Sequence, residues 1–292
     1  MQTEETNNLE GISPNIKETI ETPQSLTHPT PDNPPWNSWT AFGVWAASVF
    51  FIILLPNLFV FPYLLQKGVK LTDSAQLIEI FQKDPMAIIL NVIAIIPAHI
   101  LTLILVWLVV TRCKRFSFRA TLGWEWGGFN WLNCLLILGG FFVAAAVVSN
   151  FLPEQDNELM RILRSSRTAV YIVAFMATFT APIVEEVVYR GILYSAFQRT
   201  FGVFAAVIVV TALFALVHVP QYYPSYSTIF LICLLSLILT LIRVRTKNLL
   251  PCIVLHTIFN GIQSLILILE PFLTDFANHS ENKTAAIIRF LT

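Results

Sequence analysis

Two adjacent glutamates and an arginine interrupt one apolar run of this chain, in the stretch Ala181-Pro182-Ile183-Val184-Glu185-Glu186-Val187-Val188-Tyr189-Arg190-Gly191. Two later apolar runs each carry a histidine, His218 and His256, and Asn260 follows one helical turn after His256. An ionisable group at membrane depth costs about 2.5–3.5 kcal/mol on insertion scales, so such groups persist mostly where they pair or react. A carboxylate and an imidazole can take a proton from water, while imidazole and carboxamide N–H groups can hold the charge that develops on an attacked carbonyl oxygen. These residue types suit hydrolysis inside a membrane.

Such chemistry requires the groups to meet at one depth. A helix from near Thr168 to Gln198, turning near Arg199 to Gly202 into a second helix that ends at His218, makes the two antiparallel neighbours. At 1.5 Å per residue, Glu185 then lies about 20 Å and His218 about 23 Å from the turn. The match depends on the first helix running on through Gly191. His256 and Asn260, at i and i+4, share one face of the last apolar helix, about 10 Å and 16 Å from its start. That depth fits only roughly, and a tilt, or a kink at Pro182, is needed to close the gap.

Glu185 and Glu186 point about 100° apart around a helix. Arg190 stands at i+4 from Glu186, the better spacing for an ion pair. Glu186 and Arg190 therefore read as a supporting pair, leaving Glu185 to face a cavity. His99, alone in another apolar run, reads as a packing residue rather than a ligand.

The elements that must position these groups are membrane helices. Hydrophobic residues make up 55% of the 292 and charged residues 12%, with mean hydropathy +0.68, whereas soluble domains carry about 25% charge. The expected fold is all-α, a polytopic membrane bundle of about seven transmembrane helices. Net charge of +0 gives no sign of nucleic-acid binding. No basic segment followed by an apolar core marks a cleavable signal peptide, so the first apolar helix is expected to serve as an uncleaved anchor. Cys113, Cys134, Cys233 and Cys252 are scattered without C-x-x-C spacing, which argues against a zinc or redox role for them.

In chain order, residues 1–39 form a polar tail rich in Thr, Pro, Asn and Glu, expected to be disordered. Residues 40–130 hold the N-terminal transmembrane helices, one interrupted by Pro56 and Pro62 and one containing Asn91, Pro97 and His99. Residues 131–270 form the catalytic membrane core, and 271–292 a C-terminal tail. With seven spans, the basic loops Arg112 to Arg119 and Arg243 to Lys247 share one side. The positive-inside rule makes that side cytoplasmic, with the N-terminus, in an integral multi-pass protein of the plasma membrane. Arg161, Arg164 and Arg167 then fall on the other side.

At these positions the chain resembles the CPBP family, also called the Abi or CAAX protease family, whose signature is E-E-x-x-x-R, then F-x-x-x-H, then H-x-x-x-N. The three motifs occur here in order, as Glu185 to Arg190, Phe214 to His218 and His256 to Asn260. The resemblance implies an intramembrane endopeptidase acting on membrane-associated peptide or protein substrates, CAAX-type prenylated ones among them. It implies that Glu185 and His218 activate water, that His256 and Asn260 stabilise the oxyanion, and that Glu186 and Arg190 support the site. The family has been described as metalloproteases, and Glu185, His218 and His256 could hold zinc. The spacing lacks H-E-x-x-H and Asn is a poor zinc ligand, so a metal-free, glutamate-type mechanism without a cofactor is preferred. The other readings are a non-catalytic membrane protein of the same fold, such as a bacteriocin-immunity protein, and an ion- or proton-coupled transporter, for which the chain lacks paired broken helices or a visible repeat.

Overall fold

The computed structural model describes residues 28–269; the first 27 residues of the expected polar tail and the tail expected over 271–292 lie outside the described residues. It is an all-α polytopic membrane bundle with seven helices long and apolar enough to cross a bilayer, and no strand occurs among the described residues. The spanning helices are α1 (Ser38–Gln66), α3 (Pro85–Thr111), α5 (Trp131–Phe151), α7 (Arg167–Phe201), α8 (Val203–Tyr222), α9 (Tyr226–Thr246) and α10 (Leu250–Leu269). Shorter helices are α2 (Ser74–Lys83), α4 (Phe118–Leu122) and α6 (Glu158–Ser165).

Starts are marked by side-chain caps. Asn37 accepts from Thr40 N at 2.9 Å to open α1, Asp84 accepts from Met86 N and Ala87 N to open α3, and Asn130 with Asn133 forms a reciprocal capping box on α5. Pro56 and Pro62 do not end α1, which runs on to Gln66. In α3 the regular winding breaks at Ala94, ahead of Pro97, whose missing N–H leaves the Ile93 carbonyl without its helical donor.

Large apolar side chains such as Leu135, Phe151 and Phe204, between 68% and 80% exposed, cover the outside of the bundle. In lipid they need no partner, so helix association rests on close packing and polar contacts instead. The central element is α7. Its stretch from Glu186 to Phe197 is wholly buried, packed by α1, α3, α8 and the start of α10.

Residues 28–37, placed in the disordered tail by composition, are partly built into this body. Arg243 donates to Asp32 Oδ1 (3.0 Å) and to the Pro31 carbonyl oxygen, Gln198 to the Asp32 carbonyl oxygen, Arg199 to Asn33, and Arg112 to the Pro35 carbonyl oxygen. Trp36, 5% exposed, donates its indole N–H to the Ile192 carbonyl oxygen at 3.1 Å. Apart from Trp36, the segment is held by guanidinium groups that find acceptors in it. Arg243 itself is no loop residue: it lies in the last turn of α9 at 1% exposure, with its guanidinium 5.3 Å from the Tyr194 ring centroid.

The turn between α9 and α10 is pulled into the bundle. Leu249 N donates to the Gly123 carbonyl oxygen at 2.7 Å, and Leu249 is fully buried. Gly123 and Gly127 both have positive φ (75° and 57°), and a Cβ on Gly127 would sit 2.5 Å from the Thr246 carbonyl oxygen. Only glycine fits that approach. Replacing Gly127 by Ala is expected to cost about 1–3 kcal/mol of stability, read as a lower thermal unfolding midpoint in detergent. Gly43→Ala, where a Cβ meets nothing within 4 Å, should leave the midpoint unchanged or higher.

Candidate active site

Helix α7 runs unbroken through Gly191, but not as plain α-helix. Two π-helical segments, Met176–Thr180 and Val187–Leu193, flank one short α segment, Ala181–Glu186. π segments are rare and concentrate at functional sites. Adjacent on that α segment, Glu185 and Glu186 diverge as helix geometry requires: the Glu185 side chain is 22% exposed and the Glu186 side chain 0%.

Glu186 is enclosed by charge partners. Arg190 Nη1 donates to its Oε1 at 2.9 Å, and His256 Nδ1 lies 2.9 Å from the same oxygen. The other donors of Arg190 go to α9: Nε to Thr240 Oγ1 (3.2 Å), Nη2 to the Ser236 carbonyl oxygen (2.7 Å) and to Ser236 Oγ (2.8 Å). The guanidinium also lies 4.8 Å from the Phe214 ring centroid, a cation–π contact. One buried ion pair therefore joins α7, α9 and α10. Ser236 and Thr240 went unnoticed in the sequence, although their i, i+4 spacing in an apolar run is a signal that such a pair leaves.

Glu185 faces the two histidines. Its Oε1 lies 4.0 Å from His218 Nε2 and its Oε2 lies 3.8 Å from His256 Nε2. The ring tautomers follow from what the other nitrogens meet. His218 Nδ1 is 2.7 Å from the Phe214 carbonyl oxygen, which can only accept, so Nδ1 carries the proton and Nε2 of a neutral ring presents a lone pair to Glu185. His256 Nδ1 faces the Glu186 carboxylate and is likewise the donor. The His218 ring packs between Phe214 and Tyr222, at centroid distances of 4.7 Å and 6.3 Å.

The recessed turn accounts for the depth at which His256 meets the site. Ser236, level with Arg190, is about 15 Å from the end of α9, while His256, one contact away, is only about 9 Å from the start of α10. Drawing residues 247–249 inward lets α10 begin deeper, which brings His256 to Glu186.

Asn260 stands apart. Its Nδ2 donates to the Ala177 carbonyl oxygen at 2.8 Å, and no hydrogen bond joins it to Glu185, His218 or His256. His99 lies near the site on α3, bonded through Nδ1 to Thr180 Oγ1 at 2.9 Å, consistent with a satisfied packing residue. Tyr189, one turn after Glu185, accepts from Trp45 Nε1 at 3.1 Å.

Glu185, His218 and His256 are the side chains that would hold a zinc ion here. A tetrahedral ion bound by nitrogen and oxygen at about 2.0–2.2 Å sets its ligands about 3.4 Å apart, closer than the 3.8 and 4.0 Å found here. Among the described residues no group of three or more His, Cys, Asp or Glu side chains is placed to hold a metal ion. A water molecule at hydrogen-bonding distance from both Glu185 and His218 spans 4.0 Å without strain.

Removing one partner of the buried pair leaves the other charge uncompensated. Arg190→Ala is expected to cost about 3–5 kcal/mol, seen as a lowered unfolding midpoint or loss of folded protein from the membrane fraction. Arg190→Lys should recover only part of it, because an ammonium cannot reach Glu186, Ser236 and Thr240 together.

Over residues 167–262, a third of the chain, the sequence matches the family described as Type II CAAX prenyl endopeptidase Rce1-like. No curated protein and no solved structure was found to match. The matched segment runs from the start of α7 into α10 and contains Glu185, Glu186, Arg190, His218, His256 and Asn260. It supports a CPBP/CAAX protease assignment, and with it a CAAX-type intramembrane endopeptidase in general.

Proposed function

We propose, from the premise that the chain is of the CAAX protease family, that it hydrolyses peptide bonds of membrane-associated substrates with a water activated by Glu185 and His218, without a metal. The observation that carries this reading is the pair of acceptors, the Glu185 carboxylate and His218 Nε2, set 4.0 Å apart at a partly open position inside the bundle. A water donating to both presents its own lone pair to a scissile carbonyl carbon. As the C–O bond forms, the water's proton passes to Glu185 or His218. The same proton is returned to the leaving amine as the C–N bond breaks.

His256 supplies the donor for the oxyanion. His256 Nδ1–H donates to Glu186, and its Nε2 lies 3.8 Å from Glu185 Oε2, on the side where an N–H at that nitrogen would meet the oxyanion. Donors of this kind contribute about 2.7–4 kcal/mol in hydrolases. The substrate is a peptide or protein segment that reaches the site from the bilayer, and CAAX-type prenylated C-termini are the first class to try.

With a fluorogenic farnesylated CAAX peptide and protein in proteoliposomes, Glu185→Gln and His218→Ala are each expected to lower turnover by about 10²–10⁴-fold while the unfolding midpoint stays near that of the wild type. Purified protein should contain no stoichiometric zinc, and chelators should leave turnover unchanged. Full activity in both variants would discard the hydrolase assignment; chelator-sensitive activity restored by zinc would discard its metal-free form.

A further inference from the structure

His99 is the imidazole beside the site that the proposed reaction does not use. It stands on α3, ahead of the segment shared with the family, and is 6% exposed. Its Nδ1 lies 2.9 Å from Thr180 Oγ1, and the Thr180 hydroxyl donates to the Met176 carbonyl oxygen at 3.3 Å. A threonine hydroxyl within a helix can bond the carbonyl four residues back in this way. With its one proton so placed, the hydroxyl oxygen is an acceptor toward His99. Nδ1 of His99 therefore carries the proton, and Nε2 of the neutral ring bears a lone pair.

That lone pair is unclaimed. Nε2 has no hydrogen-bond partner among the described residues, and it is not walled in as the unpartnered Glu186 Oε2 is. The Glu185 carboxylate is the charge close enough to act on the ring. Thr180, which fixes the ring, directly precedes the α segment Ala181–Glu186 that carries Glu185. Hydrolysis as described gives the water to Glu185 and His218 and the oxyanion to His256. A peptide drawn in from the bilayer also brings backbone N–H groups stripped of water. Each one left without an acceptor at this depth is costly.

We propose that His99 is a substrate-binding residue: its Nε2 accepts a hydrogen bond from a backbone N–H of the peptide, beside the scissile bond. This goes beyond the packing role read from the sequence, which accounts for Nδ1 alone. The assignment rests on the hydrolase reading above. A contact made equally with the bound peptide and in the transition state lowers KM and leaves kcat unchanged.

The test uses farnesylated CAAX peptides, each N-methylated at one backbone amide, cleaved in proteoliposomes by the wild type, His99→Asn and His99→Gln. The asparagine carboxamide can take the place of Nδ1 and keep the bond to Thr180, but it lacks an acceptor at Nε2. His99→Asn is expected to raise KM for the unmethylated peptide about three- to tenfold, the size of one hydrogen bond, with kcat changed far less. In the wild type, one N-methyl group beside the scissile bond should raise KM by a similar factor. In His99→Asn the same methyl group should add nothing, because its acceptor is already gone. His99→Gln, whose carboxamide oxygen reaches the place of Nε2, should recover part of the binding. His99→Phe, with the ring shape kept and both nitrogens gone, stands in where His99→Asn does not fold. A residue that only packs would leave every N-methyl loss the same in wild type and variants, and that result overturns the assignment alone. So does wild-type KM in His99→Asn. If the wild type cleaves none of the peptides, the hydrolase reading falls and this assignment falls with it.

Discussion

A single carboxylate oxygen, Glu186 Oε1, receives both Arg190 and His256 in a part of the bundle where none of the three side chains is more than 3% exposed. Inside a membrane such a group cannot be left to solvent, and lipid tails supply no hydrophobic force to press helices together. The need to compensate Glu186 therefore does what core packing does in a soluble protein. It sets Arg190, whose remaining donors need acceptors and find Ser236 and Thr240 on α9. It sets His256, and with it the depth of α10. Glu185 is left at the open edge of the cluster, where its carboxylate faces the Nε2 atoms of His218 and His256.

The second constraint is the winding of α7. Both π segments lie against elements distant in sequence that bond to their backbone or side chains. Asn260, Ser264 and His99 hold the first, and Trp36 bonds the Ile192 carbonyl oxygen in the second. A π turn shifts the register of everything after it, so the direction in which Glu185 and Glu186 point depends on the first segment, and the placing of the residues after Leu193 on the second. The polar segment before α1 contributes to this as well, because Trp36 directly follows residues that Arg243, Arg199 and Arg112 hold against the bundle.

Much of this was legible in the residues alone. Seven apolar runs follow from composition and length, because each span must satisfy its own backbone. The pairing of Glu186 with Arg190 and the divergence of Glu185 follow from helical periodicity, and the meeting of Glu185 with His218 from equal rises on two helices joined by one short turn. Composition misled at residues 28–37, since it reports on burial of apolar bulk and says nothing of guanidinium groups in search of acceptors. Arg243 was misread for the same reason: a charge at a helix end looks like a loop charge until Asp32 is found beside it.

The sequence by itself determined which helices exist, which of them carry the polar groups, and which groups share a face, because these depend on rules that act within a few residues: 1.5 Å of rise, 100° of turn, caps and prolines. The tertiary structure alone decided how deep α10 begins, which α9 hydroxyls meet Arg190, and that the Asn260 amide goes to the Ala177 carbonyl. Each of these depends on the relative translation of helices far apart in the chain. That translation is set by steric fit at Gly123 and Gly127 and by the compensation of a buried charge, and no local periodicity encodes either.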